Sequence, residues 1–102
     1  MLFHGLDGQT FDDFELVLVD SLYEHRKELV AREAAARRYR VTHVPPINNP
    51  FPTIAFCHCS NTGLVHARGE VALFIADYSW LSPDSVGEHA EFHRRVFAIT
   101  GL

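Results

Sequence analysis

Two cysteines flank a histidine in Cys57-His58-Cys59, and His89 and His93 follow at the spacing of one helical turn. Thiolates and neutral imidazoles are the usual ligands of zinc and related metals. The chain carries seven histidines in 102 residues, a rich supply. Read as a strand, residues 53–59 put Cys57 and Cys59 on one face and His58 on the other. Read as a helix, the last part of the chain brings His89 and His93 together at i and i+4. A zinc site from Cys57, Cys59, His89 and His93 is the sharpest metal reading. Its weakness is geometric. Residues two apart on a strand have Cα atoms about 6.5–7 Å apart, whereas two thiolates on one zinc approach to about 3.8 Å. The plainer reading is favoured. It makes the cysteines small, buried, reduced residues and His93 a hydrogen-bonded core histidine. No cofactor is expected.

Other chemistries are less specified. A cysteine nucleophile needs a nearby histidine and a third orienting group. Cys57 or Cys59 with His66, His89 or His93, oriented by Glu88, Glu91 or Asp77, fits only on paper, since strand-centre cysteines are ordinarily inert. Asp12, Asp13 and Asp20 read as capping and solvent-facing residues of a helix. Asp77 stands out as the one acid on an apolar strand face, where a carboxylate must be paired or exposed. No glycine-rich loop precedes a helix, and Gly5-Leu6-Asp7-Gly8 is only a turn. The aromatics Phe51, Phe56, Phe74, Tyr78, Trp80, Phe92 and Phe97 suit a core. A subset, Phe74, Tyr78, Trp80 and Phe92 with His66, suits a ligand pocket between sheet and helix.

Charge is unevenly laid out around a net −4. Residues 1–24 hold six carboxylates and no Lys or Arg, while Arg26, Lys27, Arg32, Arg37, Arg38 and Arg40 follow against Glu28 and Glu33. Arg26 to Arg40, with Arg32, Arg37, Arg38 and Arg40 at its centre, is an anion-binding candidate. The simpler account is a solvated helix face. Glu28/Arg32 and Glu33/Arg37 stand four apart with the acid first, and cations complement a helix C-terminus. Nucleic acid is therefore not the expected partner.

Elements to position these residues follow from pattern. Thr10-x-x-Asp13 and Ser21-x-x-Glu24 are both helix starts of the capping-box type. The first predicts one long helix from about Thr10 to Arg40. The second predicts a strand at Leu16-Val17-Leu18-Val19 and a helix only from Leu22. The long helix is preferred. Four prolines between Val44 and Pro52 make an extended connector. Thr53–Cys59 reads as a strand, Ser60-Asn61-Thr62-Gly63 as a turn, and Leu64–Arg68 with Glu70–Tyr78 as further strand around a bulge at Gly69. Ser82 and Pro83 start a last helix that runs to about Ile99 and stops at Gly101. On it Val86, Ala90, His93, Val96, Phe97 and Thr100 form an apolar stripe.

The sum is an α+β fold in one domain, residues 1–102: a two-layer sandwich of a long N-terminal helix, a small antiparallel sheet of two or three strands, and a C-terminal helix. Apolar residues make up 47% of the chain, enough for a core. Residues 71–78 are apolar on both faces, which so small a fold covers poorly, so a homo-oligomer, a dimer first, is expected. No run nears the roughly 20 apolar residues that span a bilayer, and the N-terminus lacks a leader pattern. A cytoplasmic protein that does not use the membrane is expected. The expected function is a small binding or interaction module for a small molecule or a protein. A small enzyme or metal-binding protein using the Cys and His set is the alternative, and anion binding through Arg26–Arg40 the second.

Overall fold

The computed structural model describes residues 2–47, 56–76 and 78–100. Among them, four helices and two strands make a small α+β fold: α1 (Leu2–Asp7), β1 (Glu15–Val19), α2 (Tyr23–Ala35), β2 (Arg40–Val44), α3 (Phe56–His66) and α4 (Ser85–Thr100). The chain divides into two compact units. A central one takes Glu15–Gly69, and a terminal one takes Met1–Phe14 with Glu70–Leu102.

The central unit is built on β1–α2–β2. The apolar run Leu16–Val19, with β-branched valines at 17 and 19, takes the strand conformation that suits it. Asp20 ends the strand. Its Oδ1 accepts the Leu22 N–H at 2.9 Å and its carbonyl accepts the Tyr23 N–H at 3.1 Å, so the chain turns and α2 begins. Arg40–Val44 returns parallel to β1, with Glu15 opposite Arg40 and Val19 opposite Val44. Parallel pairing needs a crossover rather than a tight turn, and α2 supplies it. The single long helix over 10–40 is thereby corrected to strand, helix and strand. The antiparallel sheet is corrected to a parallel pair. Burial decides both points. β1 lies under α3 and β2 under α2, and Leu16, Val30 and Tyr39 form the buried apolar core of this unit.

The strand and turn expected over 56–66 are also corrected, because α3 occupies them. Ser60-Asn61-Thr62-Gly63 lies inside the helix. Thr62, 2% exposed, holds it there. Its hydroxyl donates to the His58 carbonyl at 2.6 Å and accepts the Ile47 N–H at 2.8 Å. Gly63 faces β1, where an added Cβ would sit 3.7 Å from Val19 Cγ2. Tertiary contacts thus override a local preference for strand and turn. Residues 48–55, with most of the proline connector and the start of the expected strand, lie outside the described residues. Thr62→Val keeps the shape and removes both bonds. It is expected to cost about 1–3 kcal/mol, chiefly through the Ile47 N–H left without its acceptor. Urea unfolding should show a lower midpoint at an unchanged slope.

The terminal unit contains α1 and α4. Residues 70–76 form no strand, and Gly69 is no bulge. A strand is held by a ladder, and among the described residues none pairs with this stretch. Asp77 lies outside the described residues. α4 begins at Ser85, two residues later than the signal of a Ser82 cap and Pro83 as first helical residue implies. The Ser82 and Ser85 hydroxyls share a hydrogen bond of 2.7 Å. Thr10 does not open a helix. Its N–H bonds the Pro83 carbonyl at 2.9 Å and its hydroxyl bonds Asp84 Oδ1 at 2.7 Å. Gln9 is buried beside it. Its amide nitrogen donates to the carbonyls of Gly5 at 3.0 Å and Ser82 at 2.7 Å, and its Oε1 accepts the Val86 N–H at 2.9 Å. A side chain from residue 9 thus serves an orphan N–H in the first turn of α4. Gly87 allows Phe11 to approach, since a Cβ there would lie 3.2 Å from Phe11 Cβ. No helix among the described residues is long and apolar enough to cross a membrane.

Candidate functional site

Because β1 and β2 run parallel, their carboxyl ends share one edge of the pair. Asp20 follows β1 directly, and His43 is the penultimate residue of β2. The two side chains, 7% and 9% exposed, meet with His43 Nε2 3.1 Å from Asp20 Oδ2. The Asp20 N–H bonds the Val44 carbonyl at 2.9 Å, which continues the ladder past the end of β1 and fixes where the carboxylate stands. Tyr23, the first residue of α2, lays its ring 4.7 Å from the imidazole, tilted by 52°. Arg26 brings Nη1 to 3.5 Å from Asp20 Oδ1. That contact is half exposed, so water screens it and it adds little. The Ser21 hydroxyl stands 4.0 Å from Cys59 Sγ on α3. α2 starts at this edge without a side-chain cap. In its first turn the Lys27 ammonium, hydrogen-bonded to Glu24 at 2.9 Å, holds that carboxyl below its usual range. The lysine is raised in return by the same bond.

Buried carboxylates and imidazoles are costly unless paired. Here the two side chains pair with each other, and the Leu22 N–H at the start of α2 takes the other carboxylate oxygen. Neither residue stands out in the sequence by motif. The signal is positional: an acid directly after an apolar β-branched run, and a histidine in Val41-Thr42-His43-Val44, a short run of strand-forming residues.

The sequence candidates fall elsewhere. Cys57 and Cys59 lie on α3 in the central unit, while His89 and His93 lie on α4 in the terminal unit. Residues two apart on a helix are rotated by about 200°, so the shared face inferred for the cysteines is corrected. Both thiols are free, with Cys57 exposed and Cys59 half-buried, which corrects the expectation that both are buried. His93 is also exposed, with Phe92 edge-on at 5.7 Å, so it is not the core histidine inferred from the stripe. Among the described residues no three His, Cys, Asp or Glu side chains are placed to hold a metal ion. Ellman's reagent should label Cys57 in the native protein well before Cys59, because thiol reaction needs access. Equal rates would contradict this placement.

Phe74, Tyr78, Trp80 and Phe92 are 61%, 77%, 78% and 54% exposed, and His66 ends α3 in the other unit. The four aromatics face solvent rather than line a pocket. Among the arginines, Arg37 pairs with Glu33 at 3.2 Å and Arg38 lies 5.8 Å over the Tyr39 ring. Arg32 and Arg40 are exposed, and Arg40 sits in β2 rather than on a helix. A shallow hollow in the terminal unit is lined by Thr10, Phe11, Asp84, Gly87, Glu88 and Glu91. Asp84 is already bonded by Thr10, and Glu91 is paired with Arg94. Comparison with protein-family models, with curated proteins and with solved structures found no match.

Proposed function

We propose that this chain is a small-molecule-binding module whose ligand docks at the carboxyl edge of β1 and β2, against His43, Tyr23 and the start of α2. The observation that carries the reading is the buried Asp20–His43 pair at the ends of two adjacent parallel strands. In open sheets of this type, ligands bind outside the carboxyl ends of the strands. A polar pair fixed by backbone and aromatic contacts is the kind of group that orients a ligand in a mostly apolar setting. Helices α2 and α3 would form one layer over the strands in this account, leaving the edge open. The test is a fragment screen read by amide chemical shifts. Hits should cluster at Asp20, Ser21, Tyr23, His43 and Val44. Hits confined to the terminal unit would overturn the proposal.

A second reading has its own observation. Val71, Leu73, Phe74, Tyr78 and Trp80, all within one short stretch, are exposed. Exposed apolar clusters mark interaction surfaces, and aromatics are enriched at their cores. Self-association of this cytoplasmic module through residues 71–80 follows. Sedimentation at micromolar concentration should report a dimer, and Phe74→Ser with Trp80→Ser should dissociate it. A clean wild-type monomer would exclude it.

A further inference from the structure

We infer that His43 makes this edge a receptor for hydrogen-bond donors: a ligand hydroxyl or amine N–H meets its Nδ1 lone pair, and an oxyanion does not. The inference rests on the ligand site proposed above and adds the polarity of the group that enters it. Asp20 determines that polarity. Its Oδ1 takes the Leu22 N–H, and its Oδ2 faces His43 Nε2. A carboxylate oxygen only accepts, so in the neutral ring the single proton must sit on Nε2. The hydrogen bond made by one ring nitrogen thus sets the role of the other, and Nδ1 keeps its lone pair. Tyr23 packs against the ring and the side chain is 9% exposed, so the imidazole is not free to turn over. Among the described residues Nδ1 meets no protein partner, nor is it sealed from solvent. What remains is one accepting atom on a nearly buried, fixed ring. A donor satisfies that atom. An acetate or phosphate oxygen would face it lone pair to lone pair, beside the negative charge of Asp20.

The charged groups around the ring explain why this polarity holds. Arg26 approaches Oδ1 of Asp20, on the side away from the His43 bond. Its guanidinium is half exposed and screened by water, and it supplies no donor to the imidazole. Ser21 and Cys59 at this edge face each other, and Glu24 and Lys27 in α2 pair with each other.

The experiment uses the full chain with nitrogen-15 in its histidines, above the pH at which imidazole titrates. Two-bond proton–nitrogen correlation reads the tautomer. Ethylene glycol and acetate then serve as a donor-bearing and an acceptor-only probe. Wild-type His43 should show the Nε2–H tautomer, and the glycol alone should shift Nδ1 in a saturable way. Asp20→Asn supplies the decisive contrast. Its amide oxygen still accepts the Leu22 N–H, which turns the amide NH2 towards His43. The ring must then accept at Nε2 and carry its proton on Nδ1, so acetate should become the probe that binds. His43→Gln should lose the response to the glycol. A wild-type Nδ1–H tautomer, or acetate binding to the wild type, would overturn the inferred polarity and leave the site itself standing. The Nε2–H tautomer with no response to either probe would overturn both the site and its polarity. If Asp20→Asn fails to fold, the wild-type tautomer and the two probes still decide.

Discussion

Asp20→Ala is expected to destabilise the central unit by roughly 2–4 kcal/mol, a large share of what a domain of this size possesses. The side chain accepts from Leu22 N–H and His43, and both donors lie in nearly buried surroundings. Truncation strands them together, and an unsatisfied buried donor costs more than the bond it once made. The Arg26 contact enters the sum only weakly, because the guanidinium is about half exposed. Asp20→Asn should be far milder, about 1 kcal/mol, since its amide offers an oxygen to Leu22 and a group of the other polarity to a ring that accepts either. Urea unfolding separates the cases. Equal losses for the two variants would mean that charge, not hydrogen bonding, holds the edge together.

Gln9→Leu should have a comparable effect in the terminal unit, again roughly 2–4 kcal/mol. One buried amide closes three backbone groups there, at Gly5, Ser82 and Val86. Leucine has similar bulk and none of the bonds. The loss should be local. Hydrogen exchange at the Val86 amide should accelerate far more than exchange in β1 and β2. Gln9→Glu keeps the acceptor for Val86 and loses both donations, so it should protect that amide while still destabilising the unit. Uniform acceleration across both units would refute this assignment.

These two residues show how much was legible in the sequence. The α+β class and the C-terminal helix follow from composition and from the periodicity of residues 85–100. The stretch 10–40 carried two competing helix starts, at Thr10 and at Ser21. Local propensity favours a helix through Leu16–Val19 almost as much as a strand, and only pairing with Val41–Val44 decides it. α3 was illegible for the opposite reason. Phe56–His66 has the residues of a strand and a turn, and its helix is tied from outside by Thr62, whose hydroxyl accepts the Ile47 N–H. Glu70–Tyr78 reads as strand because it is a run of strand-forming residues apolar on both faces, but among the described residues no strand pairs with it, and without a partner there is no ladder. The candidate site was hidden by the same limit. Asp20 and His43 are 23 residues apart, and nothing local to either announces the other. Cys57-His58-Cys59 drew attention by chemistry, whereas position in the fold is what makes a residue reactive or buried.

The clamp of Gln9 on Val86 spans 77 residues of sequence. During synthesis Gln9 emerges from the ribosome early and must wait until α4 has been made. Closing a loop of that length costs entropy that only late contacts repay. β1–α2–β2 and α3 need no such delay, because their partners lie within the intervening stretch. Assembly on the ribosome is therefore ordered: the middle of the chain closes first, and the two ends join each other last.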